Sequence, residues 1–319
     1  MGVSDMTNKI GLVLGSGSAR GWSHIGVIQG LQDEGIQIDM VCGTSIGAIV
    51  GGALASGAID QLDEWVRELS WWDIIGFMDG MFPRSGFIEG EKIINFFKEN
   101  FTDPNIEDLS MPFASVATDL ISGREVWFRK GSLFDAVRAS ISMPGIFVPF
   151  KQGTRLFVDG GLVNPVPVSL CRAMGADIVI AVNLNSGLTS KHTITKKSRK
   201  KVPSKKNTII KGRAGTLFEQ LTTYLDTTVK RGRSLIPEGF GAVNTMRGPS
   251  IFEVMATSSN IMQDLITRQR LAGDPPDIII SPKLGHIGLL EFNRAEETIS
   301  EGRRSLDLML PLLRDLIIE

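Results

Sequence analysis

Twice within the first sixty residues a short apolar run ends in a cluster of small residues, and each cluster opens onto apolar residues at helical spacing. Lys9–Leu14 (KIGLVL) leads into Gly15-Ser16-Gly17-Ser18-Ala19-Arg20-Gly21. Ser23–Asp33 follows, with Ile25, Ile28 and Leu31 on one face and Gly35 as the stop. Ile36–Cys42 then leads into Gly43-Thr44-Ser45-Ile46-Gly47 and a helix of small residues. Strand, helix, strand, helix at this spacing implies an α/β fold, a parallel sheet with helices on both faces. Further strands are expected at Phe113–Ala117, Glu125–Phe128, Arg155–Val158, Asp177–Val182 and Asp277–Ser281. The run IVIAV suits a central strand. Helices are expected over Trp65–Ile75, Gly90–Phe101 and Phe134–Ser142. Another is expected over Ser250–Ala272, where Ile251, Met255, Met262, Leu265 and Ile266 share a face and read as core packing.

Met40–Ile59 carries no charge over twenty residues, about the length that spans a bilayer. Five glycines (Gly43, Gly47, Gly51, Gly52, Gly57) and the pair Thr44–Ser45 interrupt it, so strand, sharp turn and buried helix is the better parse. The opening MGVSDMTNKIG lacks the basic start and apolar core of a signal peptide, and Met6 stands where a myristoylation signal needs Ser or Thr. With 42% hydrophobic and 22% charged residues the chain has the composition of a globular protein. Two cysteines, Cys42 and Cys171, cannot build a disulfide scaffold, which favours a reducing, cytoplasmic setting. Three histidines, His24, His192 and His286, lie more than ninety positions apart and offer no metal-ligand spacing. Neither a metal nor a cofactor is expected.

The net charge of -1 conceals a polarised chain. Lys191–Arg213 holds ten Lys and Arg and no acid, and the remaining residues carry -11. This stretch lies within a basic surface insertion at 186–245 that also holds a lid-like helix, Leu217–Val229, which reads first as a core helix and otherwise as a lid or an interfacial anchor; the insertion divides a single domain of 1–319 whose core is about 9–185 and 250–319. The basic stretch reads either as a solvated loop or as a peripheral contact with anionic lipid on the inner membrane face. Nucleic acid is not expected, because the run has no aromatic residue for base stacking.

Gly43-Thr44-Ser45-Ile46-Gly47 is a G-x-S-x-G sequence in a strand-to-helix turn. Such a turn exposes the serine hydroxyl and needs glycines on both sides. The Gly15–Gly21 loop presents successive amides that suit either a phosphate or a carbonyl oxyanion. A dinucleotide fold would place an acid at the end of the second strand, where this chain has Cys42-Gly43-Thr44-Ser45, so the oxyanion reading gains. Arg20 reads as a guide for an anionic headgroup or as a loop cap. A serine nucleophile needs a base. His192 lies in the basic stretch, His286 in LGHIG, and His24 reads as a packed helix-start histidine. The alternative is a carboxylate, and Val158-Asp159-Gly160-Gly161 ends a short strand with an Asp beside two glycines; in isolation the turn is the favoured reading.

GSGSARG, GTSIG, RASISMPGIFVPF and VDGGLVNPVPV followed by GADIVIAVNL together resemble the bacterial patatin-like phospholipases of the RssA type, and are similar to the catalytic domain of neuropathy target esterase. The likeness runs over about 9–185 and resumes from AGDPPDIIISP through EGRRS. It implies a three-layer α/β/α fold with a mostly parallel central sheet, a Ser45–Asp159 catalytic dyad, and an oxyanion hole at Gly17, Ser18, Ala19, Arg20 and Gly21. Gly15, Gly43, Gly47, Gly160 and Gly161 complete the motifs. Ser16 and Ser18 stand where the family commonly has glycine. The activity implied is hydrolysis of lipid carboxyl esters, of phospholipase A or lysophospholipase type, through an acyl-enzyme. Two other readings stay open: a membrane-surface adaptor without turnover, and a hydrolase using His286. The oligomeric state is not legible.

Overall fold

The computed structural model describes residues 8–70, 73, 102–186 and 251–318. The helix expected over Gly90–Phe101, the end of the one expected over Trp65–Ile75, the basic stretch and the lid-like helix lie outside the described residues. Eight strands form one sheet: β1 (Ile10–Leu14), β2 (Met40–Thr44), β3 (Phe113–Asp119), β4 (Glu125–Phe128), β5 (Phe150–Gln152), β6 (Arg155–Asp159), β7 (Ile178–Val182) and β8 (Ile278–Ile280). Their order is β5-β6-β3-β2-β1-β7-β8, with β4 also paired to β3. β3, β2, β1, β7 and β8 are parallel to one another, while β4 and β6 run antiparallel to β3 and β5 antiparallel to β6.

Alternation along the strands builds three layers. Leu12, Leu14, Val41, Ile180 and Val182 face one core, with α1 (Ser23–Asp33), α2 (Ile46–Ala55), α3 (Ile59–Glu68), α4 (Leu133–Ser140) and α7 (Ala295–Asp307). Val13, Met40, Cys42, Val179 and Ala181 face the other, with α5 (Val168–Ala173) and Leu271 of α6 (Ile251–Gly273). The chain closes with α8 (Leu310–Ile318). All residues of β1, β2 and β7 are buried, as a sheet covered on both faces requires. Cys42 and Cys171 are free and buried. Met40–Ile59 is strand, turn and helix, and no helix among the described residues is long and apolar enough to cross a membrane.

Three expectations need correcting. The second strand is Met40–Thr44 rather than Ile36–Cys42, because Ile36–Asp39 forms the loop that enters it. The helix expected from Trp65 begins at Ile59 and ends at Glu68. The third concerns α6, which lies on the fold with its apolar stripe outward. Gln263, Asp264 and Thr267 are buried, while Met255, Met262 and Leu265 are about half exposed.

The register of β3 sets up the site. Val116 pairs with Thr44 on one edge and Trp127 on the other; Ala117 pairs with Asp159 and Val126. β4 therefore occupies one edge, and β2 and β6 share the opposite edge end to end. One is parallel and the other antiparallel to β3, so they run toward each other. Thr44 and Asp159, their last residues, meet where the pairing passes from Val116 to Ala117.

Candidate active site

Ser45 sits between the end of β2 and the start of α2 with φ 59° and ψ -124°, a backbone conformation that side-chain-bearing residues rarely adopt. The surroundings hold it there. A Cβ on Gly43 would lie 2.2 Å from the Gly47 carbonyl oxygen, and one on Gly47 would lie 2.0 Å from that of Leu14, so both positions require glycine. The Ser45 amide donates to Ser140 Oγ at 2.9 Å, and Ser140 Oγ donates to the Val116 carbonyl at 2.6 Å. Thr44 Oγ1 donates to the Asn164 carbonyl at 2.9 Å.

Asp159 ends β6 and is buried. Its amide donates to the Ser142 carbonyl at 3.0 Å, and its carbonyl accepts from Thr118 Oγ1 at 2.8 Å. Its Oδ1 accepts the Gly161 amide at 2.7 Å, and its Oδ2 accepts the Ser45 hydroxyl at 2.6 Å. Gly160 lets the chain pass: a Cβ there would lie 2.2 Å from the Val116 carbonyl oxygen. Burial pushes the Asp159 carboxyl up to about 6, against the opposing pull of the Ser45 and Gly161 hydrogen bonds. The two residues that the resemblance pairs, 114 positions apart, are thus brought into contact.

The glycine-rich loop crosses beside them. Gly15 and Ser16 donate their amides to the Val182 and Pro165 carbonyls, at 3.1 and 2.8 Å. The Ala19 amide donates to Leu289 O at 3.2 Å and that of Arg20 to Gly17 O at 3.3 Å. The Ala19 and Arg20 amides are therefore already paired within the protein. Among the described residues the amides of Gly17 and Ser18 meet no acceptor, and Ile46 and Gly47 open α2 with no preceding turn to accept from them. Ser18 adopts φ 52° and donates its hydroxyl to Leu289 O at 2.6 Å, which holds a left-handed conformation without glycine.

Arg20 acts as the loop cap. It is buried, donates Nε to Gly17 O at 3.0 Å and a terminal nitrogen to Asn260 Oδ1 of α6 at 3.0 Å; burial lowers its pKa to about 10. Pinning the Gly17 carbonyl turns the Ser18 N–H of the same trans peptide the opposite way. His24 does similar work at Gly15, whose carbonyl lies 2.8 Å from Nε2; burial holds the imidazole down at about 4, so it is neutral and Nε2–H is the donor. His286 is exposed and bonds Glu297 at 2.7 Å, and His192 lies outside the described residues. Among the described residues no three His, Cys, Asp or Glu are grouped to hold a metal ion.

Sequence reasoning missed the residues that support this site. Ser16 Oγ donates to Gln263 Oε1 of α6 at 3.0 Å and accepts from Asn185 Nδ2 at 3.1 Å. Gln263 also covers Gly161, where a Cβ would lie 2.7 Å from its Nε2. Arg138 donates to the Val148 carbonyl at 3.0 Å and to Ser142 Oγ at 2.5 Å, fixing the segment that accepts the Asp159 amide. The small polar residues of RASIS were a signal for that support. An apolar cavity of about 30 Å³ lies between α2 and α4, lined by Ile49, Gly52, Ala53, Leu133, Phe134 and Val137 among others.

Residues 12–172 match the family model described as patatin-like phospholipase. This chain belongs to the patatin-like phospholipase family. As a member it is a lipid ester hydrolase, and its sheet is the mixed, mostly parallel one of the patatin fold. This patatin-like phospholipase is 32% identical to an uncharacterized NTE family protein of Mycobacterium tuberculosis over 321 aligned residues, 92% of this chain and 89% of that one. It is 35% identical to the neuropathy target esterase of Drosophila melanogaster over 187 residues, 56% of this chain and 13% of the fly protein. Among solved structures, VipD from Legionella pneumophila is similar with a TM-score of 0.42 and 13% identity, over 94% of this chain and 67% of that one.

Proposed function

We propose that this patatin-like phospholipase cleaves the carboxyl ester of a phospholipid or lysophospholipid through a Ser45–Asp159 dyad. The observation that carries the proposal is the 2.6 Å hydrogen bond from Ser45 Oγ to a buried carboxylate whose pKa is raised to about 6. An ordinary Asp, near 3.9, is a poor base toward a hydroxyl, and each unit gained improves the proton-transfer equilibrium tenfold. As Ser45 Oγ bonds to the ester carbonyl carbon, its proton passes to Asp159 Oδ2 and the carbonyl electrons move onto oxygen. The amides of Gly17 and Ser18, with that of Ile46, are the donors available to that oxyanion. Collapse of the intermediate expels the alkoxide, which takes the proton from Asp159 and leaves an acyl-Ser45. Water then attacks with Asp159 again as base, releasing the fatty acid and restoring the serine. The acyl chain would lie against the apolar wall of α2 and α4.

The residues of about 9–185 and 250–319 act as one patatin-like domain. Lys191–Arg213 gives peripheral contact with an anionic membrane on its cytoplasmic face. The test is a fluorophosphonate probe together with a lipid-class screen of fatty-acid release, comparing wild type with Ser45→Ala. The expected outcome is one adduct and fatty-acid release in wild type, both absent in Ser45→Ala. No adduct on wild type, or one that survives Ser45→Ala, overturns the proposal.

A further inference from the structure

α6 is built the wrong way round for a core helix. Its buried face is polar: Gln263 bonds Ser16, Asn260 bonds Arg20, and Asp264 and Thr267 are buried beside them. Its outer face is apolar: Val254, Met255, Ile261, Met262 and Leu265 are 46 to 55% exposed. Spacings of 1, 7, 8 and 11 residues from Val254 set these five side chains on one stripe of the helix. An apolar stripe of this extent left in water marks a surface that something apolar covers.

Three observations identify the cover as a lipid surface. The first is charge. From Val254 to Gly273 the one acid, Asp264, is buried and paired with Arg268, and the outward groups at the C-terminal end are the guanidinium groups of Arg268 and Arg270, with side chains 64% and 44% exposed. The second is continuity with other interfacial residues. Arg270 bonds Glu125 at 2.9 Å, and the other oxygen of Glu125 accepts from the indole of the exposed Trp127 at 2.6 Å. Leu120 and Ile121, at the tip of the β3–β4 turn, project past the same end of the sheet as Ser45, with Ile121 80% exposed. The third is position. The polar face of α6 touches the glycine-rich loop and Gly161, and Met255 reaches Gly145 of the neighbouring loop, where a Cβ would lie 2.4 Å from its Cε. A surface held on the stripe is thus within one helix diameter, about 10 Å, of the catalytic loops.

We infer that α6 is an interfacial helix that seats this enzyme on an anionic lipid surface, with Val254, Met255, Ile261, Met262 and Leu265 entering the acyl boundary and Arg268 and Arg270 at the headgroups. An amphipathic helix with basic residues beside an apolar face lies in the plane of such a surface. The inference deepens the proposed lipid hydrolysis and rests on it.

The test sediments the full chain with vesicles of equal parts phosphatidylcholine and phosphatidylglycerol, comparing wild type with Met262→Gln/Leu265→Gln. Glutamine keeps the helix propensity and removes the apolar surface. The expected result is vesicle affinity lower by about tenfold or more. Soluble nitrophenyl-ester turnover and fluorophosphonate labelling should stay at the wild-type level, which also shows that the variant is folded. Met262→Trp/Leu265→Phe should bind at least as tightly as wild type. Unchanged affinity in the glutamine variant overturns the inference. So does a wild-type dimer that becomes monomeric in this variant with vesicle binding intact, which would make the cover a second copy. Failure of wild type to label would remove the dyad and leave the docking result readable from sedimentation alone.

Discussion

In the proposed mechanism Asp159 takes the place that imidazole holds in most serine hydrolases, and burial is what would fit it for that place. Its proton must be absent for Ser45 to be deprotonated, so kcat/KM on a soluble ester should fall as pH drops through about 6. An acid limb near 4 would show a solvated carboxylate instead. Stability runs the other way. The folded state holds this proton more tightly than the unfolded chain, so the group's contribution is fully present below about 4 and is lost as pH rises from there through about 6. Asp159→Asn should therefore be more stable than wild type at pH 8, by up to about 3 kcal/mol, and lose that advantage by pH 4. A pH-independent difference in calorimetry would refute this. Ser45 stood out in the sequence because its glycine neighbours mark a place where backbone passes backbone, whereas Asp159 read alone as a turn and was singled out by the resemblance. Gln263 and Asn185 were not visible there, because a side chain that supports a distant loop leaves no local pattern.

At the scale of elements, the nucleophile turn depends on how closely β1 approaches α2. Gly47→Ala places a Cβ 2.0 Å from Leu14 O, a backbone atom that the central strand cannot shift, and should cost about 3 kcal/mol or more in urea unfolding. α1 and α7 cross in the same manner: a Cβ on Gly26 would lie 2.0 Å from Ile299 O, and one on Gly302 2.0 Å from Ser23 O. Gly302→Ala should destabilise the fold without altering the pH profile of the surviving activity. The parallel half of the sheet was legible, since short apolar runs joined by helices permit little else. The meeting of β2 and β6 was not, because alternation along β6 is the same whichever way it runs. α6 shows the same limit. Periodicity located its apolar stripe from Met255 to Leu265, yet a stripe that faces a core and one that faces a lipid surface read alike. The polar residues opposite, Asn260, Gln263, Asp264 and Thr267, held the answer once the loop they contact was known.

For the whole molecule, the net charge of -1 divides into ten basic residues over Lys191–Arg213 and -11 elsewhere. Attraction of that stretch to anionic vesicles should weaken steeply as salt rises, while the apolar contribution of α6 persists. Deleting Lys196–Lys206 should remove the salt-sensitive part of vesicle binding and leave soluble-ester turnover intact; an unchanged salt profile would make the stretch a spacer. The proposed chemistry rests on a serine activated by a carboxylate and not by histidine. The direct test compares kcat/KM on a soluble nitrophenyl ester for Asp159→Asn and His286→Ala. The account predicts a loss of about 10³-fold for Asp159→Asn and wild-type turnover for His286→Ala. Wild-type turnover in Asp159→Asn, or its abolition in His286→Ala, would contradict it.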